Sequence, residues 1–230
     1  MPELPEVETT IKGLKAIKNK KIHKVQIYIK KLRFKIPNQL KSKLINTKIS
    51  NIRRIAKYII IDLENKFSLV IHLGMSGRLK IYNLQFTKIK HDHLIVFFNN
   101  KITLVFNDPR RFGFVDLVKT KDLSKKKYIS NLGIDALSNS LNHTFLFDKI
   151  SKSDVPIKQI LLNQKIITGI GNIYASEILY DAKISPFRKG NSLKKSHIGT
   201  IVKSTRKILR KAIKFGGSSI NDYVSPDGTL

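Results

Sequence analysis

The first eight residues, MPELPEVE, hold three acids, two of which could do chemistry together with an amine at Pro2. Initiator Met is normally removed when a small residue follows it, which would leave Pro2 with a free secondary amine. An α-amino group titrates at roughly pH 8, so part of it is neutral and nucleophilic in the cell. Glu3 and Glu6 lie close by in sequence and are available for general acid–base catalysis. This pattern indicates covalent amine catalysis with a terminal nucleophile in place of Lys.

The matching substrate would be the aldehyde carbon of a sugar. Attack by a secondary amine gives an iminium ion, which cannot lose a proton from nitrogen and therefore remains an electron sink. The neighbouring C–H becomes acidic, and a phosphate can leave by elimination. The alternative is that Pro2 and Pro5 stiffen a tail while the acids favour the N-terminus of the following helix. These residues alone do not decide between the two.

The composition favours a polyanionic partner. Lys and Arg total 44 against 16 Asp and Glu, which gives a net charge of +28 and a pI near 10.2. Such a charge is typical of nucleic-acid binding, although abundant Lys, Ile and Asn could also reflect A/T-rich codons. Cys is absent, which excludes disulfides and thiolate metal sites. We expect no membrane span and no secretory signal, because no apolar run is long enough and the tip is acidic.

The elements that must position the tip begin with a helix and continue as strands. Apolar residues at helical spacing from Val7 to Ile17 predict a short helix. From Ile22 the period changes to two, and VQIYIK, YIIIDL, FSLVIHL, HLIVFF and KITLVF read as strands. Asn99-Asn100 suits a tight hairpin turn between the last two. Residues 1–120 are therefore predicted to form a β-sandwich or barrel behind one helix.

The second half of the chain is predicted to be helical. The polar stretch KTKDLSKKKYISN marks a linker, placed at 121–135. Apolar spacing then indicates helices from Ile157, from Ile173 after the Gly-rich turn TGIGN, and from Ile198 to the stop at Gly216-Gly217. The turn before Ile173 is predicted to offer N–H groups to a phosphate. Cations on the last helix are best interpreted as a solvated face.

Several segments together resemble one family. MPELPEVETT is similar to the N-terminus of the bacterial formamidopyrimidine-DNA glycosylases, which excise 8-oxoguanine and cleave abasic sites. RRIAKYIII, HLGMSGRL, HDH and NDPRRFG resemble its internal Lys segment and DNA-facing loops, and GIGNIYASEIL resembles its helix–two-turn–helix signature. The PELPEVE tip favours this branch over the related endonuclease VIII branch, whose tip typically reads PEGPE.

The resemblance implies a role for each catalytic candidate. Pro2 would be the Schiff-base nucleophile, and Glu3 the proton donor that helps to open the deoxyribose ring. Glu6 would support that geometry, and Lys57 would lie beside the sugar–phosphate and assist elimination. Without the resemblance, Lys57 could be a surface cation.

The resemblance also implies DNA contacts. A base-excising enzyme must extrude its target and hold the stack open with a wedge; by the resemblance, Met75, Arg110 and Phe112 fill that void. Without it, Met75 and Phe112 would read as core residues. Phosphate contacts are implied for His91, Lys158 and Asn172, with Lys152 as a weakly matched further candidate.

Alternatives remain for several polar residues. His91 and His93 have the spacing of a metal pair but lack an evident third ligand, so no metal is predicted. Asn172 could be only a helix cap. His72 is interpreted as structural.

The resemblance implies an α+β fold in which an N-terminal β-sandwich with a leading helix precedes a helix–two-turn–helix domain at 136–217. Residues 218–230 would hold a lesion-binding loop, SSINDYV, and a truncated tail. The family's four-Cys zinc finger and its DNA-binding Arg have no counterpart here, so we expect no cofactor in this chain. That absence puts affinity and δ-elimination in question more than the first chemical step. The chain could be a truncated product, a fragment or a natural form without the finger, and the sequence does not decide among these.

The expected function is excision of oxidised purines from double-stranded DNA, followed by strand nicking at the abasic site. The protein would be a monomer in the bacterial cytoplasm, associated with the nucleoid. The alternative is a basic, non-catalytic nucleic-acid-binding protein, or a decayed glycosylase that only recognises lesions.

Overall fold

The computed structural model describes residues 1–83, 85–99 and 101–217. The Asn99-Asn100 turn and the SSINDYV loop predicted from sequence lie wholly or partly outside them. The described chain divides into two compact units: Met1–Pro2 with Glu6–Lys126, and Glu3–Pro5 with Lys127–Gly217. The division falls inside the predicted linker 121–135, which itself holds a 3-10 turn (Thr120–Lys125), α3 (Lys127–Ser130) and β9 (Ile134–Asp135).

The first unit is built on two four-stranded antiparallel sheets. One has the order β1 (Ile22–Ile27), β6 (Asp92–Phe98), β7 (Thr103–Asn107), β5 (Arg78–Tyr82). The other has the order β2 (Ile49–Ile55), β3 (Tyr58–Leu63), β4 (Phe67–His72), β8 (Phe114–Lys119). Apolar residues of both sheets share one core, which confirms the predicted sandwich.

Two helices complete this unit. The helix α1 runs from Leu4 to Leu14, followed by a 3-10 turn at Lys15–Ile17, and α2 spans Leu40–Leu44. The start at Leu4 is earlier than the apolar spacing indicated, because Pro5 is tolerated in a first helical turn. Val7, Ile11 and Leu14 are buried in the sandwich core.

Strand register brings several loops to one end of the sandwich. Tyr58 pairs with His72, and His72 pairs with Phe114, so the hairpin turn before Tyr58 and the loops after His72 and before Phe114 are neighbours. In the other sheet, Asn107 pairs with both Arg78 and Asp92. The loops between these strands therefore emerge at the same end, although they are far apart in sequence.

The second unit is helical. It contains α4 (His143–Ile150), α5 (Ile157–Leu162), α6 (Asn172–Asp181), α7 (Lys195–Lys214) and a 3-10 turn at Gly190–Ser192, with β9 paired in parallel to β10 (Ile167–Thr168). Apolar faces of the helices form a second core. Asp181 accepts hydrogen bonds from Ser204 (2.7 Å) and Lys207 (2.6 Å), which tie α6 to α7. Nowhere in the part of the chain described is a helix both long and apolar enough for a membrane crossing.

Candidate functional site

The Glu3 carboxylate occupies the N-terminus of α6. Oε2 accepts the backbone N–H of Gly171 at 2.5 Å and of Tyr174 at 3.4 Å, and Oε1 accepts that of Ile173 at 3.0 Å. Glu3 is 2% exposed. The first N–H groups of a helix have no partner within the helix and attract negative charge, so they stabilise an ionised Glu3.

Two glycines make this approach possible. A Cβ on Gly171 would lie 2.4 Å from Glu3 Cδ, and one on Gly169 would lie 2.6 Å from Leu4 Cδ1. The backbone N–H of Leu4 donates to the Gly169 carbonyl at 2.9 Å. The Gly-rich turn therefore packs directly against Glu3 and Leu4, and a side chain at Gly171 or Gly169 would displace them.

This arrangement corrects the prediction that the turn before Ile173 offers its N–H groups to a phosphate. The N–H groups of Gly171, Ile173 and Tyr174 already bind Glu3. The cap reading of Asn172 is also wrong, since Gly171 is the N-cap and Asn172 is the exposed first residue of α6. Exposure leaves the Asn172 side chain accessible to a ligand.

Lys57 lies in the two-residue turn between β2 and β3, where Ile55 pairs with Tyr58. It is only 7% exposed, so it is not a surface cation. Arg54 fixes this turn to α1, because its guanidinium donates to Glu8 at 2.7 Å and to the Ala56 carbonyl at 3.0 Å. Ala56 has a φ of +52°, a conformation uncommon for a non-glycine residue that sets the direction of the turn.

The chain tip contributes two more candidates. Pro2 is partly buried. Glu6 is buried, at 2% exposure, and its backbone carbonyl accepts the Thr10 hydroxyl at 2.8 Å within α1. Both belong to the same unit as Lys57.

His72, interpreted from the sequence as structural, has surroundings that make it a further candidate. Burial, together with the positive charges of Lys57 and Arg33, lowers the pKa of His72 from 6.5 to about 4. Its Nδ1 accepts the Gly74 N–H at 3.1 Å, which puts the imidazole proton on Nε2. The neutral N–H donor of His72 thus lies near the cations Lys57 and Arg33, and this combination is suited to binding an anion.

The signal that could have revealed His72 is strand register. Tyr58 follows Lys57 in sequence and pairs with His72 across β3 and β4. A prediction of that hairpin's register would have placed His72 beside the Lys57 turn.

Asp108 organises the loops at this end of the sandwich. It is fully buried and accepts the Ser76 hydroxyl at 2.6 Å and the Gly113 N–H at 2.8 Å. His93 Nε2 donates to the Asp108 carbonyl at 2.9 Å. The Asp108 N–H donates to the His91 carbonyl at 3.1 Å. The Asp108 carboxylate therefore joins its own loop to the loop of Ser76, and the Asp108 backbone adds the segment of His91 and His93.

The proposed wedge side chains project from these loops. Met75 is 42% exposed and Phe112 47% exposed, so neither is a core residue. The Arg110 guanidinium lies 4.8 Å from the centroid of the Phe112 ring. Gly74 adjoins the Phe112 backbone so closely that a Cβ there would lie 2.4 Å from Phe112 C. The structure therefore brings the three predicted wedge residues onto adjoining loops.

The remaining candidates for phosphate binding are divided between the two units. His91 is partly exposed in the first unit, with a φ of +71°. In the second unit, Lys158 is partly exposed near the start of α5, and Lys152 is exposed in the turn after α4. No metal-binding group of three His, Cys, Asp or Glu side chains occurs among residues 1–83, 85–99 and 101–217.

The fold and site define a DNA glycosylase of base excision repair. Residues 1–115 match the model of the formamidopyrimidine-DNA glycosylase N-terminal domain, and residues 132–224 match that of the formamidopyrimidine-DNA glycosylase H2TH domain. The chain belongs to the formamidopyrimidine-DNA glycosylase (Fpg) family.

Relatives of known family match the sequence over nearly the whole chain. The Fpg of Rickettsia africae is 42% identical over 99% of this chain and 83% of its own length, and that of Zymomonas mobilis is 45% identical over 100% and 85%. Lactococcus lactis Fpg bound to N7-benzyl-Fapy-dG DNA superposes with a TM-score of 0.90 at 34% identity, covering 99% of this chain and 85% of that one. The same enzyme with abasic-site DNA gives 0.89 at 34%, covering 98% and 83%.

Proposed function

We propose that this chain excises oxidised purines, such as 8-oxoguanine and formamidopyrimidines, through a Schiff base at Pro2 and then nicks the strand by β-elimination. The observation that carries the proposal is the fixed Glu3 carboxylate, held by three backbone N–H groups next to the nucleophile in sequence. Formamidopyrimidine and abasic-site DNA are the ligands of the Lactococcus lactis enzyme.

The first step uses Pro2 and Glu3 as a pair. The neutral Pro2 nitrogen attacks C1′ and the base leaves with the C1′–N bond electrons. The new ammonium gives its proton to the Glu3 carboxylate. Protonated Glu3 then donates to O4′, so the C1′–O4′ bond breaks and an iminium ion forms.

The second step is elimination. The iminium withdraws electrons from C2′. A general base, that is a proton acceptor, then removes the C2′ proton, and the 3′ phosphate leaves. Lys57 and the Nε2–H of His72 are the cation and the neutral donor that would stabilise the phosphate charge at this point. Burial of Lys57 strengthens that interaction because water screens it less.

The exposed wedge would hold the lesion out of the duplex. A duplex hides C1′, so the target nucleotide must be extruded and the gap filled. Phe112 offers an exposed ring, and Arg110 is an exposed cation able to pair with the orphaned base. Phosphates of the DNA would be bound by His91, Lys158, Asn172 and the weaker candidate Lys152.

Binding to DNA would associate the protein with the nucleoid in the bacterial cytoplasm.

The test separates base excision from lyase activity. Glu3→Gln should abolish release of 8-oxoguanine but leave much of the nicking at preformed abasic sites, because an abasic sugar already reaches the open aldehyde form. Glu177→Gln, an exposed change on α6, is the matched control and should retain both activities. Equal loss of both activities in folded Glu3→Gln protein would show that Glu3 does not have this role.

A further inference from the structure

A groove of about 720 Å³ lies along residues 27–38 of the first unit. No carboxylate lines it. Its surface combines apolar side chains with two cations. The apolar residues are Ile27, Ile29, Ile36 and Pro37, and the cations are Lys30 and Lys35. A ligand that suits this surface has an apolar body and negative charge.

An exposed aromatic ring forms one wall. Tyr28 is 48% exposed, and the Lys88 ammonium lies 4.7 Å from the centroid of its ring. The Tyr28 N–H donates to the His93 carbonyl at 2.9 Å, which fixes the position of the residue. A half-exposed ring on a fixed backbone is a suitable stacking partner for a planar ligand.

The two cations of the groove and the nearby Lys88 have no acidic partners within the described residues. Lys30, Lys35 and Lys88 form no ion pair with any described carboxylate, and all three are exposed. The Ile36 N–H donates to the Lys30 carbonyl at 3.1 Å, so the loop folds back and both Lys30 and Lys35 line the same groove. An anion in the groove would relieve their repulsion.

We propose that this groove binds a nucleotide of single-stranded DNA. The base would stack on Tyr28 and contact the apolar surface, while phosphates pair with Lys30 and Lys35. Stacking on aromatic rings beside a positive groove is how proteins hold single strands without sequence preference. A duplex fits less well, because its base faces are hidden and cannot stack on Tyr28.

The backbone connects the groove to the loops of the proposed wedge. Tyr28 bonds to His93, and the Arg33 N–H donates to the Gly113 carbonyl at 3.1 Å. Strand nicking produces an end that can fray, and the groove would hold such an end. The inference rests on the proposed function only in naming a nicked strand as the source of the single-stranded DNA. Binding of single-stranded DNA in the groove itself needs no catalysis.

The test is fluorescence anisotropy with a labelled oligo(dT) at low salt. Tyr28→Ala should weaken binding by roughly 5- to 150-fold, the equivalent of one lost base stack of about 1–3 kcal/mol, whereas Tyr28→Phe should bind like the wild type. Lys30→Gln with Lys35→Gln should also weaken binding and lower the salt slope by about 1.4 log units per decade.

A matched charge control excludes diffuse attraction. Lys15→Gln with Lys18→Gln removes the same charge from exposed positions of the same unit. Wild-type oligo(dT) affinity in Tyr28→Ala, or equal weakening by the control pair and the groove pair, would overturn the proposal.

Base excision from a short damaged duplex is measured on every variant in parallel. Excision at the wild-type rate together with lost oligo(dT) affinity supports a separate groove. A wild-type protein that binds oligo(dT) through Tyr28 but excises nothing would refute the proposed function and leave the groove standing.

Discussion

Gly171→Ala should disable the site by displacing Glu3 without straining the backbone. Gly171 has a φ of −131°, a conformation that Ala adopts freely, so its effect comes from space alone. The added Cβ would lie 2.4 Å from Glu3 Cδ and 2.5 Å from Oε1. These atoms belong to a buried carboxylate that has little room to move.

The expected magnitude follows from what must shift. Overpacking costs about 1–3 kcal/mol, and each weakened hydrogen bond to a charged group costs about 1.5–3 kcal/mol. With one bond weakened, Gly171→Ala should lower the free energy of unfolding by about 2.5–6 kcal/mol. A displacement of about 1 Å at a catalytic group also lowers the rate on the order of a hundredfold.

The assay combines urea unfolding, followed by circular dichroism, with single-turnover release of 8-oxoguanine. Gly199→Ala in α7 is the control, because a Cβ there meets nothing within 4 Å, and it should stabilise the helix by about 0.5–1 kcal/mol. Glu3→Ala removes the group that is displaced, so adding Gly171→Ala to it should cost little more stability. Unchanged stability and excision in Gly171→Ala would refute the placement of Glu3.

Further changes test the loops of the first unit. Asp108→Asn should destabilise the protein by about 1–3 kcal/mol in urea unfolding, since an amide cannot accept both the hydroxyl and the Gly113 N–H at its two ends. His72 is protonated more readily when unfolded, because its folded pKa is about 4 against 6.5; the stability it contributes is present above pH 6.5 and should fall by up to about 3 kcal/mol between pH 6.5 and 4. His72→Gln should remove this pH dependence, while His23→Gln should keep it. Phe112→Ala should lower preference for damaged over intact duplex by roughly 1–3 kcal/mol in a salt titration, and equal weakening on both duplexes would contradict the wedge.

Local patterns were sufficient for much of the fold. The alternation of Val25 and Ile27 with polar neighbours predicted β1, and the segment resemblance predicted the sandwich and the helical domain that the structure and the family models confirm. These features depend on neighbouring residues, whose spacing is visible in one sequence.

The contacts that assemble the site are not local. Glu3 binds Gly171, which lies 168 positions away, so nothing in the tip or in GIGN alone reveals the pairing. The same pairing explains why the predicted phosphate site at that turn was wrong. The position of His72 likewise depends on the register of β3 with β4. The roles of the predicted site residues stay predictions until they are measured.

Borohydride trapping on DNA with an abasic site tests the central claim most directly. Reduction converts the iminium into a stable amine and links protein to DNA at the attacking nitrogen. Peptide mapping should place the adduct on Pro2, in protein that has lost its initiator Met. An adduct on Lys57, or active protein that retains Met1, would contradict the account.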